Sequence, residues 1–212
     1  MTDLKERIEE LAKEYSNKLD IKIKERLQEM SADDKSHYLI YRVLGISFEE
    51  GENIDLYQNK GRFLYKYAGS FLEEATVLCF QEKFGIKNAR KVKIPNTEGL
   101  RPKTFEIDCL INDKNAYEIK WRDATTDGDH ITKEHIRISA INKKGYTPIR
   151  LMFYYPNREQ AKRIQQTLET MYKGIGGEYY CGDSAWEHLK TTTDIDLLSI
   201  LTEIAERNTG AS

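Results

Sequence analysis

The 212-residue chain predicts an α/β protein: a mixed β-sheet between helices, with helical additions at the N- and C-terminal ends. Three patterns carry that expectation. Apolar residues recur every three or four positions over long stretches near both ends, which is the spacing of amphipathic helices. Two short runs of β-forming residues, 105–111 and 116–121, flank a polar segment, giving a strand–turn–strand signature. A third such run, 147–155, lies between two helical patterns, and alternation of this kind places a sheet between helical layers.

Taken in order, residues 3–30 carry Leu4, Ile8, Leu11, Tyr15, Leu19, Ile23 and Leu27 at helical spacing. The intervals settle into fours, so the pattern is a helix packed on its own domain more than a sustained heptad seam. Ser31 with Asp34 three residues on suggests a capping box for a second helix that ends near Gly45. Residues 47–55 read as a polar loop. A long helix is expected from about Arg62 to a C-terminal glycine, Gly85. Residues 89–94 form a strand and 95–103 a loop containing Gly99 and Pro102.

The two central strands follow, and then a loop leads into a helix from about Asp129 to Gly145. Pro156 stops the strand at 147–155, and Asn157 with Gln160 suggests the cap of a helix that ends at Gly174. Glycines 174, 176 and 177 make a turn, and two shorter helices, from about Asp183 and Asp194, close the chain. The organisation expected is a helical extension over residues 1–60, a core over 61–174 and a helical segment over 175–212, packed as one compact domain.

Composition excludes several classes. Charged residues make up 32% and hydrophobic ones 39%, as in a soluble globular protein rich in surface helix. No apolar run approaches a membrane span, and the charged N-terminus is unlike a signal peptide. Cys79, Cys109 and Cys181 are dispersed and odd in number, which fits a reducing cytoplasm and neither a disulfide framework nor a zinc site. The net charge of −2 does not favour nucleic acid globally. Lys83, Lys87, Arg90, Lys91, Lys93, Arg101 and Lys103 nevertheless gather just before the central strands, and local cations can position phosphates.

The chemistry lies in those strands. Side chains alternate faces, so Glu106, Asp108 and Leu110 are expected on one side of the first, and Glu118, Lys120 and Arg122 on one side of the second. If Ile111 pairs with Asn115, Asp108 lies opposite Glu118, with Cβ atoms about 5 Å apart. Like charges so placed destabilise a sheet unless a cation joins them. Mg²⁺ takes one or two carboxylates and completes its octahedron with water and substrate phosphate. A lysine one step along could hold the attacking water or balance charge developing at phosphorus.

Asp108, nine intervening residues and Glu118-Ile119-Lys120 on a hairpin resemble the D…E-x-K signature of the PD-(D/E)xK nuclease superfamily. The proline of that signature is absent; Ile107 precedes Asp108, and the nearest proline is Pro102. Residues 69–85 resemble the helix that brings a further acid to the site in these nucleases, through Gly69 and Glu73 with Glu74 as the alternative. Residues 121–135 look like those of the ApaLI group of restriction enzymes. The resemblance implies a restriction-endonuclease-like core of order α-β-β-β-α-β and Mg²⁺-dependent hydrolysis of DNA, leaving 5′-phosphate and 3′-hydroxyl ends, with Mn²⁺ as a substitute metal. It makes Asp108, Glu118 and the Ile119 carbonyl metal ligands, Lys120 the residue acting on water, and Glu73 an auxiliary acid. Glu106, expected on the same face as Asp108, could add a further ligand or a base to the site.

Beside the second strand, Arg122, Thr125, Thr126, Asp127, His130, Lys133 and Arg137 form a donor-rich loop and helix start suited to double-stranded DNA. His130 and His135 are five apart, about 140° around a helix, which argues against zinc. The function expected is a type II restriction endonuclease of the prokaryotic cytoplasm, a homodimer on a symmetric site. The alternatives are a structure-specific nuclease of the junction-resolvase or repair type and a non-catalytic DNA-binding protein of the same fold.

Overall fold

The structure, a computed structural model, describes residues 2–97, 99, 101–122 and 128–210. It consists of a five-stranded mixed sheet with helices on both faces and helical segments at either end of the chain. The chain divides into two compact units, one formed by Glu9–Phe71 and the other by the rest of the described chain.

The first unit is helical and contains most of α1 (Thr2–Ala32), all of α2 (Tyr38–Val43) and the larger, N-terminal part of α3 (Phe48–Phe84). Tyr15 packs edge-on against Tyr67 and Phe71, with ring centroids 6.2 and 6.1 Å away. Arg26 Nε donates to Asn59 Oδ1 over 3.2 Å. Two local expectations fail here. Ser31 does not cap a second helix; it lies inside α1, where its hydroxyl donates back to the Gln28 carbonyl at 2.8 Å. The Asp34 carboxylate instead closes a turn on the Ser36 N–H, so α2 is only six residues long.

Residues 47–55 do not form a loop. Ser47 Oγ accepts from the Glu50 N–H at 3.1 Å, the geometry of an N-cap, and α3 runs on without a break for 37 residues. Gly51, inside this helix, serves close packing. A Cβ there would lie 2.8 Å from the Tyr41 ring and 3.1 Å from that of Tyr38.

The second unit holds the sheet, in the order β1-β2-β3-β4-β5. β1 (Ala89–Pro95), β2 (Thr104–Ile111) and β3 (Asn115–Arg122) are antiparallel, whereas β4 (Thr147–Tyr154) and β5 (Glu178–Cys181) join in parallel. Parallel pairing requires crossover helices, and these are α4 (Gly128–Lys143) and α5 (Glu159–Gly174). Phe105, Ile107, Leu110 and Ala116 pack with Ala140 and Ile141 of α4. On other helices, Phe80 of α3 meets Tyr117 at 4.6 Å, and Trp186 of α6 (Asp183–Thr193) meets Phe153 at 4.3 Å.

The hairpin has the expected register, with Ile111 opposite Asn115. Its turn holds Asn112 and Asp113 at φ of 52° and 50°, a left-handed conformation that Asn and Asp tolerate better than most residues. The strand β5, between the glycine turn and α6, has no counterpart in the sequence reading, since four residues are too few to show a period; the close approach of Gly177 to the Pro148 carbonyl, 2.6 Å from where a Cβ would sit, brings the chain into the sheet. Asn157 is not the cap of α5, since Arg158 holds that position without a side-chain bond. The burial of Ala161, Ile164, Gln165 and Leu168 fixes the helix one residue later. α7 (Leu197–Thr209) is capped by Asp196, whose carboxylate accepts from the Ser199 N–H at 3.0 Å. Among the described residues no helix is long and apolar enough to cross a membrane.

Candidate active site

The antiparallel strands separate where the acids lie. Pairing of β1 with β2 shifts between Arg90 opposite Leu110 and Val92 opposite Ile107, so β2 carries one extra residue around Asp108 and Cys109. Bulges of this kind re-aim a side chain. Main-chain pairing of β2 with β3 runs from Ile111 opposite Asn115 to Cys109 opposite Tyr117. Next to it, the Asp108 carboxylate accepts the Ile119 N–H at 2.8 Å, taking the place of a strand carbonyl. The simple alternation expected for β2 therefore fails. Phe105 and Ile107 join Leu110 in the cluster against α4, and Glu106 reaches Lys91 at 3.2 Å and Lys93 at 3.7 Å.

Lys120 Nζ lies 2.5 Å from Glu118 Oε1 and 3.5 Å from Asp108 Oδ2, so one ammonium joins two nearly buried carboxylates. The second Glu118 oxygen pairs with the guanidinium of Arg137 on α4. Arg137 Nε is 3.8 Å from Glu134 Oε2. Glu134 Oε1 accepts from Arg150 at 3.2 Å and from the Tyr172 hydroxyl at 2.6 Å. Behind the carboxylate pair there is thus an alternating chain of buried charges, ending at Arg150, which is 1% exposed.

These contacts separate the two acids electrostatically. Burial, and then the Glu118 charge, push Asp108 up to about 7 against the pull of Lys120 and the Ile119 N–H. Burial also pushes Glu118 upward, but Lys120, Arg137 and Arg150 together outweigh it and hold Glu118 at about 2. Burial lowers Lys120, while Glu118 and Asp108 more than offset that and keep the ammonium charged. The site therefore contains one fixed anion and one carboxyl poised near neutrality, the separation of roles that acid–base chemistry uses.

Asp108, Glu118 and Lys120 come together in one cluster. Glu73, on α3, is close enough for its charge to raise the Asp108 pKa, and it pairs with Lys91 at 2.8 Å. Arg137 lies inside the cluster, a quarter exposed. Arg122 ends β3 with its guanidinium 5.7 Å from the Trp121 ring, and Lys133 is exposed on α4. Thr125, Thr126, Asp127 and the side chain of His130 lie outside the described residues. Of the basic stretch before the site, Lys83 pairs with Asp194, and Arg90 with Asp113 at 2.7 Å.

Arg150, Glu134 and Tyr172 were not singled out from sequence. The signal available was Arg150 itself, a charge inside the apolar run of β4, which demands a buried counter-ion. Nothing in the spacing of Glu134 or Tyr172 names them as that partner.

Asp108 and Glu118 offer the hard oxygen donors that Mg²⁺ takes. Among the described residues no set of three or more His, Cys, Asp or Glu side chains converges to hold a metal. The pair alone, with water and phosphate, satisfies the sparser requirement of Mg²⁺.

The sequence profile of the ApaLI-like restriction endonucleases matches residues 1–206. No curated protein and no solved structure matches the chain. A match over nearly the whole length shows that this chain belongs to the ApaLI-like restriction endonuclease family, a family of DNA-cleaving hydrolases.

Proposed function

We propose that the protein is a Mg²⁺-dependent type II endonuclease that cuts double-stranded DNA at a symmetric site, works as a cytoplasmic homodimer and leaves 5′-phosphate and 3′-hydroxyl ends. Its active site is of the PD-(D/E)xK type. The observation that carries this reading is the convergence of Asp108 and Glu118 on one lysine, Lys120, where β2 and β3 part.

Asp108, Glu118 and the Ile119 carbonyl would hold the metal, whose chemistry is to activate water and neutralise charge at the scissile phosphate. With the carboxylates engaged by such an ion, the Lys120 ammonium would orient water for in-line attack and stabilise the charge that develops. Arg137 holds Glu118 in place and, a quarter exposed, can turn towards a phosphate oxygen. Glu73 adds its negative charge to the field at Asp108. Arg122, Lys133 and the 125–130 segment flank this site in sequence and would supply DNA contacts, and two subunits related by a two-fold would cut one strand each.

Lys120→Ala should lower cleavage by about 10²–10⁴-fold, the scale of losing a group that handles a proton or a charge in the transition state. Asp108→Ala should abolish cleavage, and both variants should still bind DNA in a gel-shift assay. Cleavage at the wild-type rate by both would sink the proposal.

A further inference from the structure

Strands β3 and β4 run parallel and end together, with Arg122 opposite Tyr154. A cavity of about 460 Å³ opens at their carboxyl ends, within the unit that holds the sheet. Ligands of α/β proteins bind outside the carboxyl ends of parallel strands, and a volume of this size holds one small molecule. The rings of Trp121, Tyr154 and Tyr155 and the flat side of Pro156 form its walls, and Arg122 and Arg158 supply positive charge. Among the described residues no carboxylate lines it.

This lining selects a flat conjugated group joined to an anion. Aromatic rings and guanidinium planes stack on nucleobases of any kind, because each base has a π-face. Guanidiniums also bind phosphate through paired N–H donors. Tyr154 is 49% exposed and Tyr155 37%, so both rings present surface to a ligand. Arg158 is exposed too, and it has no ion pair among the described residues.

The catalytic cluster beside the cavity indicates where such a ligand comes from. Lys120 and Arg122 are two residues apart on β3, about 6.6 Å along the strand. That is the reach from one phosphate of a DNA strand to the nucleotide next to it. In a duplex the faces of a base are covered by its neighbours, so a base can lie on these rings only after leaving the stack. We infer that the cavity is a nucleotide-binding site, which takes one nucleotide of the strand being cut, swung out of the duplex beside the scissile phosphate. The base lies on the rings and the phosphate meets Arg122 and Arg158. Stacking in the cavity offsets the cost of unpairing. The place beside the scissile phosphate rests on the nuclease reading above; the affinity for a nucleotide does not.

The test begins with titration calorimetry of the full chain, in the presence of chelator, against the four deoxynucleoside 5′-monophosphates. At least one should saturate with a Kd below about 1 mM. The matching nucleoside and deoxyribose 5-phosphate should each bind at least about tenfold more weakly, since each lacks one half of the ligand. Tyr154→Ala and Arg158→Ala, both at exposed positions, should each weaken the nucleotide by about tenfold or more. Tyr57→Ala, at an exposed tyrosine that does not line the cavity, should leave its affinity unchanged. On DNA, once end sequencing has mapped the cut, a mismatch at the nucleotide beside it removes most of the cost of unpairing. In a metal-free gel shift, wild type should bind that duplex at least about tenfold more tightly than the matched one, and Tyr154→Ala should lose the preference.

A wild type with no saturable binding of any of the four nucleotides, or an affinity unchanged in both cavity variants, overturns the inference. Equal affinity for matched and mismatched duplexes overturns it as well. DNA cleavage by a protein that binds no nucleotide would refute this site alone, whereas nucleotide binding as described in a protein that cuts no DNA would refute only the nuclease.

Discussion

Asp108 and Glu118 share a site but not a proton affinity, and the difference has a measurable sign. Asp108 is held at about 7 in the folded protein, against about 3.9 in an unfolded chain. Between those values the folded state binds the extra proton, so this group's contribution to stability falls as pH rises through that window. Asp108→Asn removes the penalty while keeping an oxygen to accept the Ile119 N–H. Without divalent cations, the variant should therefore exceed wild type in stability by a margin that grows from pH 4 to pH 7, reaching on the order of 1–3 kcal/mol. Denaturant titrations at several pH values measure it, and a margin independent of pH would contradict the assignment. The same poise couples metal to protons. Mg²⁺ or Mn²⁺ binding near pH 7 should release part of a proton, seen as a buffer-dependent heat in calorimetry, and Asp108→Asn should lose that dependence.

Among the elements, β4 and α4 make the site rigid. β4 carries Arg150 into the core, and α4 answers it with Glu134, which also takes the Tyr172 hydroxyl from α5. Desolvating such a pair is costly, and removing one member is costlier still, because the other is left buried and charged. Glu134→Ala should destabilise the protein by about 3–5 kcal/mol and loosen Arg137, the neighbour of Glu118. Glu134→Gln keeps the acceptor for Tyr172 and should cost less. Equal midpoints for wild type and Glu134→Ala in chemical denaturation would show that the network carries no such load. On the other side of the site, the bulge in β2 turns Asp108 towards Ile119, a re-aiming that strict alternation of the strand could not provide.

For the molecule as a whole, a net charge of −2 means that DNA affinity must come from local cations. Affinity should fall steeply with salt, with a logarithmic slope of about −0.9 per phosphate neutralised. A Mg²⁺ digest of a plasmid of known sequence should give discrete fragments, and chelation should stop cutting without releasing the DNA. A continuous smear, or activity confined to branched or nicked DNA, would favour the structure-specific nuclease instead. Fragment-end sequencing reads the cleavage stagger directly.

Much was legible in the chain because local pattern and tertiary role agreed. The hairpin around Asn112 and Asp113, the strand at β4 and the long helix before the sheet follow from period, β-branching and turn chemistry, all short-range properties. The hairpin register brought Asp108, Glu118 and Lys120 to neighbouring positions, and the bulge in β2 then aimed Asp108 at Ile119. Other features depended on contacts between distant segments. Residues 47–55 read as a loop, whereas in the fold Gly51 makes room for the rings of Tyr38 and Tyr41 against an unbroken helix. Glu134 could not be named as the partner of Arg150, because α4 and β4 meet only when the sheet closes. The bulge at Asp108 is set by pairing with β1 across the hairpin's outer edge. Sequence fixes periodicity and turns because their energies lie within a few residues; charge pairing and close packing lie between residues far apart in the chain, and only the folded arrangement brings them into contact.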